Sequence, residues 1–220
     1  MAEGFMIHCR SLLLRMDAMP FPLFFDHAPQ ITIIDPLAAF LGAPVDGRMT
    51  YRYADAVRLA GHSCPTVAGA WLMSIKAMAA LWPGETPERG AVQLYLPGTQ
   101  DEGVTGVIAA VAGLVTGAAG TGGFKGIAGS YGRAGLTAFA TAIPATMGLR
   151  RTDSGAGLLA TYRPECVPAD PAMRSHLQSL LSGTGTGDDA ACFARLWQER
   201  VERILIDQAD DPALVTLAPF

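Results

Sequence analysis

The chain predicts an α+β domain in which an antiparallel sheet packs against long helices. Three observations carry that expectation. An apolar run from Pro65 to Trp82 opens on a proline and stops at Pro83-Gly84, as a buried helix does. A set of short, β-rich stretches follows between Val92 and Tyr162. Phe193, Trp197, Val201 and Leu205 recur at intervals of four, giving one apolar stripe to a last helix.

The elements follow in order. Residues 1–20 read as a short helix or extension ending at Met19-Pro20. Phe21 to Pro29 is a proline- and aromatic-rich loop, and Gln30 to Ile34 a brief β-branched strand. Asp35-Pro36 opens a short helix through Phe40 that Gly42 closes. Thr50 to Ala60 reads as a helix with Tyr51, Ala54, Val57 and Leu59 on one face, broken by Gly61. After the Pro65 helix, Val92 to Leu96 alternates as a strand, and Val104 to Ala118 forms a helix of small residues.

Phe124–Ser130, Leu136–Ala140, Thr146–Thr152 and Gly157–Tyr162 then read as successive antiparallel strands. Asp170-Pro171 begins a helix to Ser182, Gly183 to Gly187 is a turn, and Asp188 caps the last helix through Gln208. No internal repeat and no Pro/Ser-rich linker divides the chain, so its 220 residues read as one domain.

Half of the residues are apolar and only 16% are charged, which leaves apolar surface for a partner, most simply a second copy. Net charge is −4, and the basic residues form no cluster beyond Arg150-Arg151, so the footprint of nucleic-acid binding is missing. Leu12-Leu13-Leu14 is hemmed in by Arg10, Arg15 and Asp17 and is too short for a secretory signal. Gly103 to Phe124 carries no charge and is long enough to span a membrane. Its glycine content argues instead for a closely packed buried helix. Cys9, Cys64, Cys166 and Cys192 lack CxxC spacing, which points to reduced thiols and the cytoplasm.

Chemistry concentrates at His62-Ser63-Cys64-Pro65. Proline at the first helical position makes Cys64 the N-cap, with its sulfur at the positive end of the helix dipole, where a thiolate is favoured. His62 can turn its imidazole toward the same point. Two roles stay open: half of a metal site, or a nucleophile (Cys64) with its base (His62). A zinc site needs three or four donors, and the best further ones are His27, beside Asp26, and Glu102, beside Asp101. Asp101-Glu102 has a plainer reading as a pair favouring the start of the following helix. His8 and His176 have no suggestive neighbours.

The glycine-rich stretch from Gly117 to Gly129 matches neither a phosphate loop nor a dinucleotide-binding turn. Lys125 is its one charge and a candidate cofactor contact. Cys64-Pro65 also matches the Cys-Pro dipeptide of some haem-responsive sites, which keeps haem as a further alternative.

Ala60-Gly61-His62-Ser63-Cys64-Pro65-Thr66-Val67-Ala68-Gly69 resembles the GH-x-CPG-x-x-x-G signature of the FmdE-like family, proteins similar to one component of formylmethanofuran dehydrogenase. The likeness covers Tyr53 to Phe139, with Thr116-Gly117 similar to the family's TGCT-x-GKG and Tyr131-Gly132-Arg133-Ala134 similar to its D-x-GK-x-A. The resemblance implies a single α+β domain over 1–220 with its signature region at about 50–140. It implies C-terminal helices at 170–208 packed on that core or on a partner.

It also implies homodimers, a small-molecule ligand, and a cleft in which His62 and Cys64 bind a divalent metal, zinc foremost. A metal there would support Lewis-acid or redox-linked chemistry on a one-carbon unit. Three family positions differ: the histidine before the glycine is Ala60, the glycine after Cys-Pro is Thr66, and the TGCT cysteine falls on Ala118 or Ala119. His27 and Glu102 would have to replace the lost donors. The C-terminal cysteine ribbon of some members is also missing, because Cys166 and Cys192 stand alone.

Overall fold

The computed structural model describes residues 21–220. The expected N-terminal helix, His8, Cys9 and the Leu12–Leu14 run lie outside the described residues. The fold is α+β. Among the described residues there are two sheets and six α-helices, with α3 (Pro65–Leu81) as the central one, apolar on nearly every face and buried from Val67 to Ile75.

A two-stranded antiparallel ribbon pairs β1 (Ile31–Ile34) with β2 (Arg48–Tyr51), in register Ile31 to Tyr51. Between them α1 (Pro36–Leu41) is capped as its sequence demands. Asp35 accepts from the Leu37 and Ala38 amides, and Gly42 turns left-handed at φ 76°. Thr50 and Tyr51 therefore belong to a strand, not to the expected helix. That helix, α2, spans Tyr53–Ala60 and starts where the Asp55 carboxylate accepts from the Arg52 amide at 2.9 Å. Strand pairing across Thr32–Thr50 outweighs the weak helical pattern of two β-formers.

The main sheet has the order β4-β3-β5-β6-β7. β3 (Val92–Tyr95), β5 (Met147–Arg151) and β6 (Gly157–Tyr162) are antiparallel, as expected. β4 (Thr137–Ala138) is shorter than expected and runs parallel to β3. Phe124–Ser130 is a loop rather than a strand. Gly126 and Gly129 have positive φ, as does Ala128, and the segment closes on itself through Ile127 and Ser130. The fifth strand, β7 (Val215–Pro219), lies beyond the last element read from the sequence. It lies at the sheet edge, where a residue without an amide hydrogen is tolerated.

α4 (Thr105–Thr116) is the small-residue helix, and its Val111, Ala112 and Val115 are fully buried. With 12 residues it is far shorter than a span. No helix among the described residues is long and apolar enough to cross a membrane. α5 (Ala172–Leu181) precedes α6 (Gly187–Glu202), whose cap is Thr186 rather than Asp188. Thr186 and Asp189 exchange hydrogen bonds as a capping box, and a π-helical turn extends the helix over Arg203–Asp207. His176 pairs with Asp189 at 2.9 Å, joining α5 to α6.

Candidate functional site

Two helix ends meet at His62–Cys64. Gly61 ends α2 in the left-handed conformation, φ 77°, and the exposed His62 ring bonds back to the Ala60 carbonyl, Nδ1 to O 3.0 Å. Cys64 begins α3 in extended geometry, and its Sγ accepts from the Val67 amide at 3.4 Å. Cys64 is the N-cap, as its sequence predicts, and is 8% exposed within the apolar core. No hydrogen bond joins it to His62 among the described residues. The imidazole serves the preceding helix and the thiol serves the following one.

Ser63 fixes the loop between them. Trp197 Nε1 donates to its carbonyl at 2.9 Å, and its hydroxyl lies 3.0 Å from both the Tyr53 hydroxyl and Gln198 Oε1. The C-terminal helix α6 thus holds the motif loop within the chain. Tyr162 comes from β6, donates to the Pro65 carbonyl at 2.9 Å, and lays its ring over Gly69, where any larger residue would overlap it.

Burial pushes the hydroxyls of Tyr53 and Tyr162 well above the usual phenol range. The neighbouring Cys64 adds to that push on both, while hydrogen bonding from Ser63 and the charge of Arg200 partly offset it on Tyr53 and Tyr162 respectively. Both remain protonated at neutral pH. The sequence draws attention to neither tyrosine, since each reads locally as an ordinary helix or strand residue.

The other expected ligands lie elsewhere. His27 ends a 3₁₀ turn at Leu23–Asp26 and is exposed, as is Asp26. Glu102 accepts from the Thr99 amide at 3.1 Å, and Asp101 accepts from the Thr99 hydroxyl at 2.8 Å, so both carboxylates stabilise the turn before α4. Lys125 is exposed in the 124–130 loop. Among the described residues no three His, Cys, Asp or Glu side chains lie close enough together to hold a metal. The described donors therefore do not by themselves make up the three or four that zinc requires.

A second polar cluster stands out in the structure. Asp35, buried beside α1, receives Arg89 Nη1 at 2.8 Å and Arg133 Nη2 at 2.7 Å. Burial pushes the Asp35 carboxyl up. The Arg89 hydrogen bond outweighs this together with the Arg133 charge and the Ala38 amide, so it lies below the usual carboxylate range. The one signal for this cluster in the sequence is Tyr131-Gly132-Arg133-Ala134, which by itself offers only a loose family likeness.

No protein-family model matches the chain, and no curated protein matches it in sequence.

Proposed function

We propose that this is a metal-free, thiol-centred protein that binds a small electrophilic molecule at Cys64. The observation that carries this reading is the hydrogen bond from the Val67 amide to Cys64 Sγ at the start of α3. A thiolate accepts such a bond more strongly than a thiol, and the helix dipole acts in the same direction. Tyr53 and Tyr162 stand by as neutral groups, and the Ser63 clamp keeps the sulfur fixed. In the chemistry proposed, the Cys64 sulfur adds to the carbon of a small carbonyl compound: the C–S bond forms as the C=O π pair moves onto oxygen, and the thiol proton passes through His62 to that oxygen. The histidine must first release the Ala60 carbonyl, and among the described residues its Nε2 has no protein partner to give up. Cys64, Cys166 and Cys192 are free thiols, which supports a reducing compartment such as the cytoplasm.

Alkylation tests the reading. Iodoacetamide at pH 7 is expected to modify Cys64 in the folded protein at least as fast as the exposed Cys166, and His62→Ala is expected to slow it several-fold. Mass spectrometry of tryptic peptides reads both rates. An inert Cys64 beside a modified Cys166 would leave only a structural thiol. Stoichiometric zinc in protein purified without chelator, lost in Cys64→Ala, would move the site to the metal reading suggested by the family likeness.

We also propose a homodimer built on the α2–α4 face. Leu59 and Val104 are each 51% exposed there, and Leu59 borders a groove of about 470 Å³ floored by Gly106, Ala109, Ala110 and Gly113. Large apolar side chains beside small ones suit close helix packing between copies. Sedimentation equilibrium is expected to give twice the 23.1 kDa chain mass, and Leu59→Lys to halve it. A monomeric wild type would refute this assignment.

A further inference from the structure

We infer that the buried Arg133 guanidinium, with Arg89, forms a binding site for the oxyanion of a small molecule, a phosphate or a carboxylate. The argument starts from a mismatch in donors. A guanidinium carries five N–H groups. Arg133 spends one of them on Asp35 Oδ1 and none on any other protein acceptor among the described residues, and its Nε is buried without a partner. Its side chain is only 8% exposed. A purely structural ion pair at that depth would be expected to satisfy more of its donors, because each one left unmet costs free energy.

The two guanidinium groups share Asp35 as their one ion-pair partner among the described residues, beside a cavity of about 340 Å³. Glu88 borders the same cavity and acts on Arg133 through space without an ion pair, so the surplus at the site is one of hydrogen-bond donors rather than of net charge. The volume lies at the lower end of the range for small-ligand sites.

The backbone makes room for this arrangement. Gly90, at φ 88°, leaves the space that Arg133 Nη1 fills, and any side chain there would overlap the guanidinium. Gly117, at φ 74°, does the same between the two arginines: a Cβ would lie 2.9 Å from Arg89 Cγ and 3.1 Å from Arg133 Nη1. Tyr131, which also lines the cavity, is a non-glycine residue at φ 63° and stacks on Phe40 with ring centroids 5.2 Å apart. A left-handed tyrosine at a cavity wall is backbone strain held by its surroundings. The Tyr131 and Gly132 amides donate to no protein acceptor among the described residues, so they add donors on the same loop. An anionic group with several acceptor oxygens would satisfy these unmet donors.

Calorimetric titration of the full chain with inorganic phosphate, and separately with malonate, in low-chloride buffer tests the site. One or both anions are expected to bind with 1:1 stoichiometry. Phosphate alone would identify a phosphorylated ligand and malonate alone a carboxylate ligand, while binding of both would support the shared oxyanion chemistry. Arg133→Lys is expected to weaken binding about tenfold or more, because a lysine cannot present the same planar donors. Glu88→Gln, at the cavity rim, is expected to strengthen it several-fold by removing a like charge. Lys125→Ala should change nothing. The proposal is overturned if neither anion binds below about 10 mM. It is equally overturned if binding is indifferent to both Arg133→Lys and Glu88→Gln. Should Arg133→Lys fail to fold, the Glu88→Gln shift decides alone.

Discussion

Asp35→Ala is expected to lower the unfolding free energy by about 3–5 kcal/mol, the cost of stranding a buried charge. The carboxylate has three structural duties. It pairs Arg133 at 2.7 Å, pairs Arg89 at 2.8 Å, and caps α1 through the Leu37 and Ala38 amides. Loss of the cap alone would cost about 1 kcal/mol. The remainder comes from two guanidinium groups left facing each other, one of them with its side chain 8% exposed.

Asp35→Asn separates the contributions, since an amide oxygen still caps the helix but carries no charge. It should lose most of the stability and keep α1. The pH dependence has a definite sign. The folded-state carboxyl lies below its ordinary value of 3.8, so its contribution is complete above that pH. It is lost as pH falls from there through the lower folded-state value. Urea unfolding followed by tryptophan fluorescence should therefore show a constant gap between wild type and Asp35→Asn from about pH 5 to 7. The gap should narrow below about pH 4. A gap that stays fully open down to about pH 2, or widens on acidification, would contradict the ion-pair account.

Local chemistry is legible in the sequence and long-range chemistry is not. Asp35-Pro36 and Cys64-Pro65 both announce helix starts correctly, because capping involves only residues within one turn. β6 has the limits its composition predicts. The 124–130 segment has enough apolar residues for a strand, but positive φ at Gly126, Ala128 and Gly129 bends it into a loop. β4 exists only because β3 pairs with it, Leu94 against Thr137, from far earlier in the chain.

The same distinction governs the site. Adjacency of His62 and Cys64 in the chain says nothing about where their side chains point. The left-handed Gly61 sends the imidazole back to Ala60 while the sulfur turns forward to Val67. Asp35 is legible as a cap. Its ion pairs arrive from 54 and 98 residues further along the chain, and no local pattern signals them.

Trp71→Ala is expected to cost about 3–5 kcal/mol. Trp71 is fully buried on α3, and its Nε1 donates to the Pro29 carbonyl at 2.8 Å. That hydrogen bond ties the aromatic segment at 21–29 to the central helix. Within the segment, Phe25 packs edge-on against Tyr53, ring centroids 4.9 Å apart. Tyr53 in turn holds Ser63, so Trp71 stabilises the Cys64 loop at one remove.

Trp71→Phe keeps most of the apolar contact and loses the donor. It should cost about 1–3 kcal/mol, the range for an unsatisfied buried acceptor. It should also speed hydrogen exchange at the His27 and Ala28 amides, which bond to the Phe24 carbonyl within the same turn. Exchange at Val67, inside α3, should respond only through global stability. If Trp71→Ala unfolds within about 1 kcal/mol of wild type, or Trp71→Phe leaves the 21–29 amides unchanged, α3 does not organise the loop on which the Cys64 site depends.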